Sequence, residues 1–366
     1  MKTQSRYFIY WFMFLWVSSA GFAQESTYSK TYQFSFVPPV SSNGPLSGET
    51  SNKVSLNLLA GYAHGVEAFE LGGLYNIVRA NVRVAQISGF GNTVGGEVHG
   101  FQLAGFLNTI KGYVEGAQIA GFINLTGDKV KGFQLGGFTN ISKETEGWQI
   151  AGFNNHTKAS KGVQLAGFMN TTGTLEGLQW AGFINVAKKV KGVQFGVVNI
   201  ADSVDSGVQF GLVNVSKNGF ISPGMETDDV VPYRLVFRSG REQFYTVLTA
   251  GAKESEYWSY GAGFGSRLYL SERRNLFVNP ELRYHQINKG KSVAENHLVK
   301  LNVNFGYQLF KHLYITSGPT VNFYTTNRLD RNGRPLIDIA NNPSHDSQSG
   351  RRSYQVWVGY SIGIGF

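Results

Sequence analysis

Between positions 54 and 218 a short motif returns every 15 or 16 residues, and this interval limits the chain to a few architectures. Successive copies read FELGGLYN (69–76), AQISGFGN (85–92), FQLAGFLN (101–108), AQIAGFIN (117–124) and FQLGGFTN (133–140). They continue as WQIAGFNN (148–155), VQLAGFMN (163–170) and LQWAGFIN (178–185), then shorten to VQFGVVN (193–199) and VQFGLVN (208–214). Glycine punctuates every copy, and Phe, Val, Leu and Ile recur at period two, which is a strand pattern rather than a helical one. Each unit is expected to be one strand of about ten residues followed by a tight turn. In the copy Val163–Asn170, one face carries Val163, Leu165, Gly167 and Met169, and the other Gln164, Ala166, Phe168 and Asn170.

After Val231 the repeat gives way to longer alternating segments. The last holds Tyr354, Val356, Val358, Tyr360, Ile362, Ile364 and Phe366 on one face, against Gln355, Trp357, Gly359, Ser361, Gly363 and Gly365. Segments 233–238, 243–252, 257–270, 276–286, 298–310 and 313–325 complete a set of seven expected strands. Most are long enough for a tilted crossing of a membrane. Only 16% of residues are charged, where soluble domains carry about 25%. Low charge, abundant aromatics and a two-faced strand pattern suit a sheet with hydrocarbon on one side, because in lipid only a closed sheet pairs every strand's N–H and C=O.

The fold class expected is all-β, and two arrangements of the repeats compete. In the favoured one they are further strands of an antiparallel outer-membrane-type β-barrel of about eighteen strands. Leu103, Ile119, Leu135, Leu165 and Ile184 then face lipid, Phe106, Phe122 and Phe138 face the lumen, and 54–76 forms a hairpin. In the alternative each unit is a coil of a parallel β-solenoid, with Gln and Asn stacked in ladders, followed by a C-terminal β-barrel. The near-identity of odd and even copies speaks for the solenoid. The chain divides into a targeting segment (1–23), a polar N-terminal segment (24–53), the repeats (54–218) and the C-terminal strands (219–366).

Lys2 and Arg6, the apolar run Tyr7–Val17 and the small residues of SSAGFA (18–23) read as a signal peptide cleaved before Gln24. Its loss lowers the formal charge from +9 by two to +7. The absence of cysteine removes disulfides, thiolate nucleophiles and lipid acylation at a cleavage-site cysteine. The remaining Lys and Arg are scattered over turns, which argues against nucleic acid as a partner.

The repeat GxQxAGFxN, with FVPPVSSNG (36–44), VSLNLLAGY (54–62), SGREQFYTVLTAG (239–251), YGAGFGSRLYL (260–270) and FVNPEL (277–282), resembles the surface-repeat protein family of Bacteroidetes, fusobacteria and spirochaetes. The likeness spans most of the chain after the signal segment. It implies an envelope location and a repeat architecture. The family has no assigned activity to carry over. Phe366, an aromatic at the end of an apolar-faced strand, is similar to the terminal signature of outer-membrane barrels.

No residue set points to catalysis, a cofactor or a metal. The seven histidines (His64, His99, His156, His285, His297, His312 and His345) lack metal-ligand spacing, and no HExxH is present. GAGFGS (261–266) lies within a strand, where a phosphate loop would have to open a helix. Asp330, Asn332 and Gly333 read as an Asn-Gly turn rather than a calcium loop. No serine stands in a GxSxG context. Glu281 beside Arg283 reads as an ion pair in the lumen.

Two sets remain as candidate functional residues. The Gln column (Gln102, Gln118, Gln134, Gln149, Gln164 and Gln179) could line a pore, bind sugars through its amides or form a structural ladder. Arg328, Arg331 and Arg334 lie in a long polar loop, 326–352, expected to be exposed on the cell surface. The function expected is a structural or surface-interaction role in the outer membrane, with a passive channel as the alternative. Expected partners are outer-membrane lipid, surface polysaccharide or another envelope protein.

Overall fold

The computed structural model describes residues 26–254, 256–290, 295–340 and 342–366. The expected signal peptide, residues 1–23, lies outside the described residues. The chain is all-β, 71% strand, and its repeats form a parallel β-solenoid of about 11 turns. Gln164 pairs with Gln179, and Asn170 with Asn185, in parallel register. This overturns the expected eighteen-stranded antiparallel barrel. The expected hairpin at 54–76 fails for the same reason, since Gly65–Gly72 pairs in parallel with Thr50–Asn57. Like residues stack on like residues, so each copy must present the same edge to its neighbour. An antiparallel pairing would alternate that environment.

A coil is not one strand and a turn. In the coil beginning at Val114, a strand runs Val114–Ala120, the chain bends at Gly121 and Phe122, a second strand runs Ile123–Thr126, and a further bend at Gly127 and Asp128 leads to the next coil. The first strand is itself kinked at Gly116, whose φ is +132°, and Gly132, Gly147, Gly162 and Gly177 repeat the kink. A Cβ at Gly147 would meet the carbonyl oxygen of Gly132 at 2.1 Å, so this column admits only glycine. The three bends divide the coil into three short sides. They also break the alternation, so that Phe168 sits on an outer corner, 40% exposed, while Gln164, Ala166 and Asn170 point inward. Phe106, Phe122 and Phe138 are likewise outside and not in a lumen.

The strand Tyr28–Val37 adds a coil before the first recognisable repeat, in parallel with Thr50–Asn57. The return strand Val40–Ser41 pairs with its end at Ser35 and Val37, and the short helix Gly44–Glu49 packs against the strand Ala60–Ala63 of the following coil. The Asn43 amide donates to Gln33 Oε1 (2.8 Å) and Asn52 Oδ1 (3.0 Å). This segment is the solenoid's N-terminal cap.

The C-terminal part is an antiparallel sheet whose path is β1 (Phe220–Asp228), β2 (Tyr233–Arg241), β3 (Phe244–Lys253), β4 (Tyr257–Gly265), β5 (Leu276–Asn288), β6 (Asn296–Phe310), β7 (Leu313–Thr326) and β8 (Arg352–Gly365). β1 also pairs with β8, from Gly224–Gly365 to Asp228–Ser361, so the sheet closes on itself. Seven of these strands match the sequence expectation. β1, the strand that completes the ring, does not appear in it. Leu268–Tyr269 and His345–Ser349 add short pairings to β5 and β8.

Candidate functional site

Inside the solenoid the predicted Gln column is fully buried and continuous. Each side-chain NH2 donates to the carbonyl of the preceding coil: Gln118 to Gln102 (3.1 Å), Gln134 to Gln118 (2.8 Å), Gln149 to Gln134 (2.9 Å), Gln164 to Gln149 (2.7 Å) and Gln179 to Gln164 (2.9 Å). The Asn column runs the other way, as in Asn124 to Asn140 (2.8 Å) and Asn155 to Asn170 (2.9 Å), and also caps backbone carbonyls such as Leu135 O (2.7 Å). Opposed amide rows let a polar interior satisfy itself without water. They also leave these amides out of reach of a sugar or a solute. The Gln row ends at its N-terminal side on a carboxylate, Glu70, which accepts from Gln86 (2.8 Å) and Asn57 (2.9 Å). Burial pushes the Glu70 carboxyl up to about 7, against smaller opposing effects of its hydrogen bonds.

The solenoid's exterior is sorted by side. The stretch before each positive-φ glycine carries charges, paired across coils: Lys131 with Glu115 (2.6 Å), Lys129 with Glu146 (2.7 Å) and Lys191 with Glu176 (2.9 Å). The other two sides are largely apolar. One presents Leu103, Ile119, Leu135, Trp148, Leu165, Trp180 and Phe195. The corner between the two is a row of phenylalanines. Phe106, Phe122, Phe138, Phe153 and Phe168 stack at centroid spacings of 4.9–5.0 Å. The Phe that follows Ser-Gly, Ala-Gly or Gly-Gly in the seven copies from 85 to 185 was the signal in the sequence. Period-two counting assigned it to the wrong face because it passes straight through the bend.

The closed sheet is polarised in the opposite sense to a soluble protein. Its interior holds Arg238, Arg283, Glu226, Glu281, Arg234, Asp228, Lys300 and His285, all buried. Arg283 donates to Glu226 Oε2 (2.6 Å) and Glu281 Oε2 (2.8 Å), Arg238 donates to both glutamates, and Tyr245 donates to Glu281 Oε1 (2.7 Å). The outer wall presents Leu235, Leu282, Phe305, Val321, Val358, Tyr360 and Ile362, with Val358 70% exposed. Among the described residues no three His, Cys, Asp or Glu side chains could hold a metal.

Arg328, Arg331 and Arg334 are exposed at one end of this sheet. Asp330 Oδ1 accepts from the backbone N–H of Asn332 (2.7 Å) and Arg334 (2.9 Å), which makes the segment a turn. Further on, the same loop folds inward. Ile337 and Ile339 join a buried cluster with Val230, Val231, Tyr257, Ile287, Leu298, Tyr324 and Trp357 that fills this end of the ring.

At the other end the last coil rests against the outside of the β2–β3 hairpin. Asn214 donates through its side chain to Thr246 Oγ1 (2.8 Å) and through its backbone N–H to Ser239 Oγ (3.1 Å), and Thr246 donates to Gly211 O (2.7 Å). An aromatic chain crosses this junction: Trp180–Phe195 (5.6 Å), Phe195–Phe210 (5.4 Å), Phe210–Phe244 (4.8 Å) and Phe244–Phe264 (5.3 Å). The candidate functional feature is therefore a surface, an apolar outer wall running from the closed sheet onto the solenoid. No family model, curated protein or solved structure matches this chain.

Proposed function

We propose that the chain is a non-catalytic outer-membrane protein in which an eight-stranded β-barrel anchors an amphipathic β-solenoid. The observation that carries this reading is the inverted polarity of the closed sheet. Fully buried arginines, glutamates and a lysine point inward, and large apolar side chains point outward. In water that arrangement wastes the hydrophobic effect and strands charges. In a bilayer it is the expected one, since ionisable groups face the protein interior and pair there. On β8 the outer row from Tyr354 to Phe366, at about 3.4 Å a residue and a tilt of roughly 40°, reaches about 30 Å, the thickness of a hydrocarbon core.

Outer-membrane barrels keep short turns on the periplasmic side and longer loops outside. The β1–β2, β3–β4, β5–β6 and β7–β8 connections lie at one end, and the longest of all, 327–351, is among them; the other end holds the tight turns 242–243 and 311–312 and the β4–β5 connection 266–275. By that rule Arg328, Arg331 and Arg334 lie outside the cell, in reach of polysaccharide, and the solenoid lies at the periplasmic end. A channel is the weaker reading. Eight strands enclose just enough space for side chains, and the Arg238–Glu281–Arg283–Glu226 network occupies it.

The test is extraction and folding in detergent. The protein is expected to stay with membranes in alkaline carbonate, to need detergent once released, and to migrate faster on SDS gels unheated than boiled. Planar bilayers holding it are expected to stay silent. A mature chain that is soluble and monomeric without detergent would overturn the proposal.

A further inference from the structure

We infer that the two apolar sides of the solenoid and the phenylalanine row between them are a lipid-docking surface, inserted among the acyl chains of the leaflet at the short-turn end of the barrel. This rests on the membrane reading of the closed sheet. Three observations carry it further.

The first is size. Phe90, Phe106, Phe122, Phe138, Phe153, Phe168 and Phe183 are each 36–46% exposed, and Trp148 and Trp180 are 50% and 55% exposed. About eleven coils at ~4.8 Å give a face roughly 50 Å long. Two sides of about 10 Å each make it on the order of 1,000 Å², beyond the few hundred that a soluble monomer leaves open.

The second is continuity. Phe264 is 46% exposed on the outer wall of β4. Phe244 lies 5.3 Å from it and Phe210 4.8 Å from Phe244. Whatever covers Phe264 must also cover Phe210, and with it the Phe195 and Trp180 rows behind. For a barrel in a bilayer, that cover is lipid.

The third is segregation of charge. Glu115, Lys131, Glu146, Glu176 and Lys191 all stand on the third side, away from the phenylalanine corner. A helix with this separation lies in the membrane interface with its apolar face in the acyl boundary. The solenoid applies the same principle with a wider face, and the parallel pairing of coil on coil satisfies the backbone along that face.

The experiment uses four full-length variants that each keep one tryptophan, Trp148, Trp180, Trp258 or Trp357, with every other tryptophan replaced by phenylalanine. They are reconstituted into vesicles of dibrominated phosphatidylcholine. Heat-modifiable gel mobility verifies the fold of each. Trp258 reports the outer wall of the barrel (39% exposed) and Trp357 its interior (1%). The inference expects Trp148 and Trp180 to lose emission to brominated acyl chains as Trp258 does, with Trp357 spared. If Trp258 is quenched while Trp148 and Trp180 respond to aqueous acrylamide instead, the inference falls and the barrel stands. If Trp148 and Trp180 are shielded from both quenchers, protein covers the face, a second copy or another chain, and the inference falls. If Trp258 also escapes bromine, the membrane reading itself has failed.

Discussion

Glu70 sets the direction of the interior ladder. Every glutamine after it donates toward the N-terminus, and the row ends on the Glu70 carboxyl, which has no N–H to pass on. Glu70 takes one N–H from Gln86 and another from Asn57. At the opposite end Gln209 Oε1, with no coil beyond it, has no hydrogen-bond partner among the described residues. The cost of the carboxylate is desolvation, which raises Glu70 from 4.5 to about 7. The folded state therefore holds a proton that the unfolded chain releases between these values. Stability contributed by Glu70 is fully present below pH 4.5, declines as pH rises to about 7 and is then level. The whole decline is about 3 kcal/mol. Glu70→Gln is expected to abolish it. The urea midpoint of the solenoid, followed at pH 5 and pH 8, should fall in the native chain and stay level in the variant. Equal falls in both would assign the titration elsewhere.

At the scale of strands, what could be read from the chain was the two-sidedness of each segment. Seven barrel strands were legible because period two survives along their whole length, as in Val299, Leu301, Val303 and Phe305 on β6. β1 was not, because Pro223 and Gly224 lie at its centre and Ile221 and Met225 are its only large aliphatic side chains. Pro223 lacks an N–H to share with a sheet, and the strand is held by pairing with β2 on one side and β8 on the other. The repeats hid a different choice. Both a membrane hairpin and a solenoid coil have one apolar and one amide-bearing side, so composition alone could not separate them. What separates them is the glycine column at Gly116, Gly132 and Gly147, which kinks each strand where a straight membrane crossing would not bend. The outer row of β8 supplies the matching test of environment. Val358→Arg, in the middle of that row, is expected to cost about 2–4 kcal/mol in a bilayer and less than about 0.5 kcal/mol at a watery surface. Urea unfolding in phosphatidylcholine vesicles distinguishes the two.

The whole molecule joins two parts that handle their edges differently. The barrel has none, since β1 and β8 pair. The solenoid has two, one at the Val40–Glu49 cap and one against the barrel. Stacked repeats draw stability from each neighbour and need a closed end. Here the asparagine row runs through Asn185, Asn199 and Asn214 and passes its last N–H to Thr246 of the barrel wall. A barrel side chain therefore stands where the next coil's asparagine would be, and the barrel is the solenoid's C-terminal cap. On this view Thr246→Val leaves the shape of the junction intact but takes both the acceptor of Asn214 and the donor to Gly211 O. The expected loss is about 1–3 kcal/mol. It should appear in the solenoid alone, as a lower urea midpoint and earlier protease cleavage among the repeats, with the gel mobility of the barrel unchanged. Should the midpoint hold, the two parts are tethered but not coupled. Should both parts weaken together, they fold as one cooperative unit.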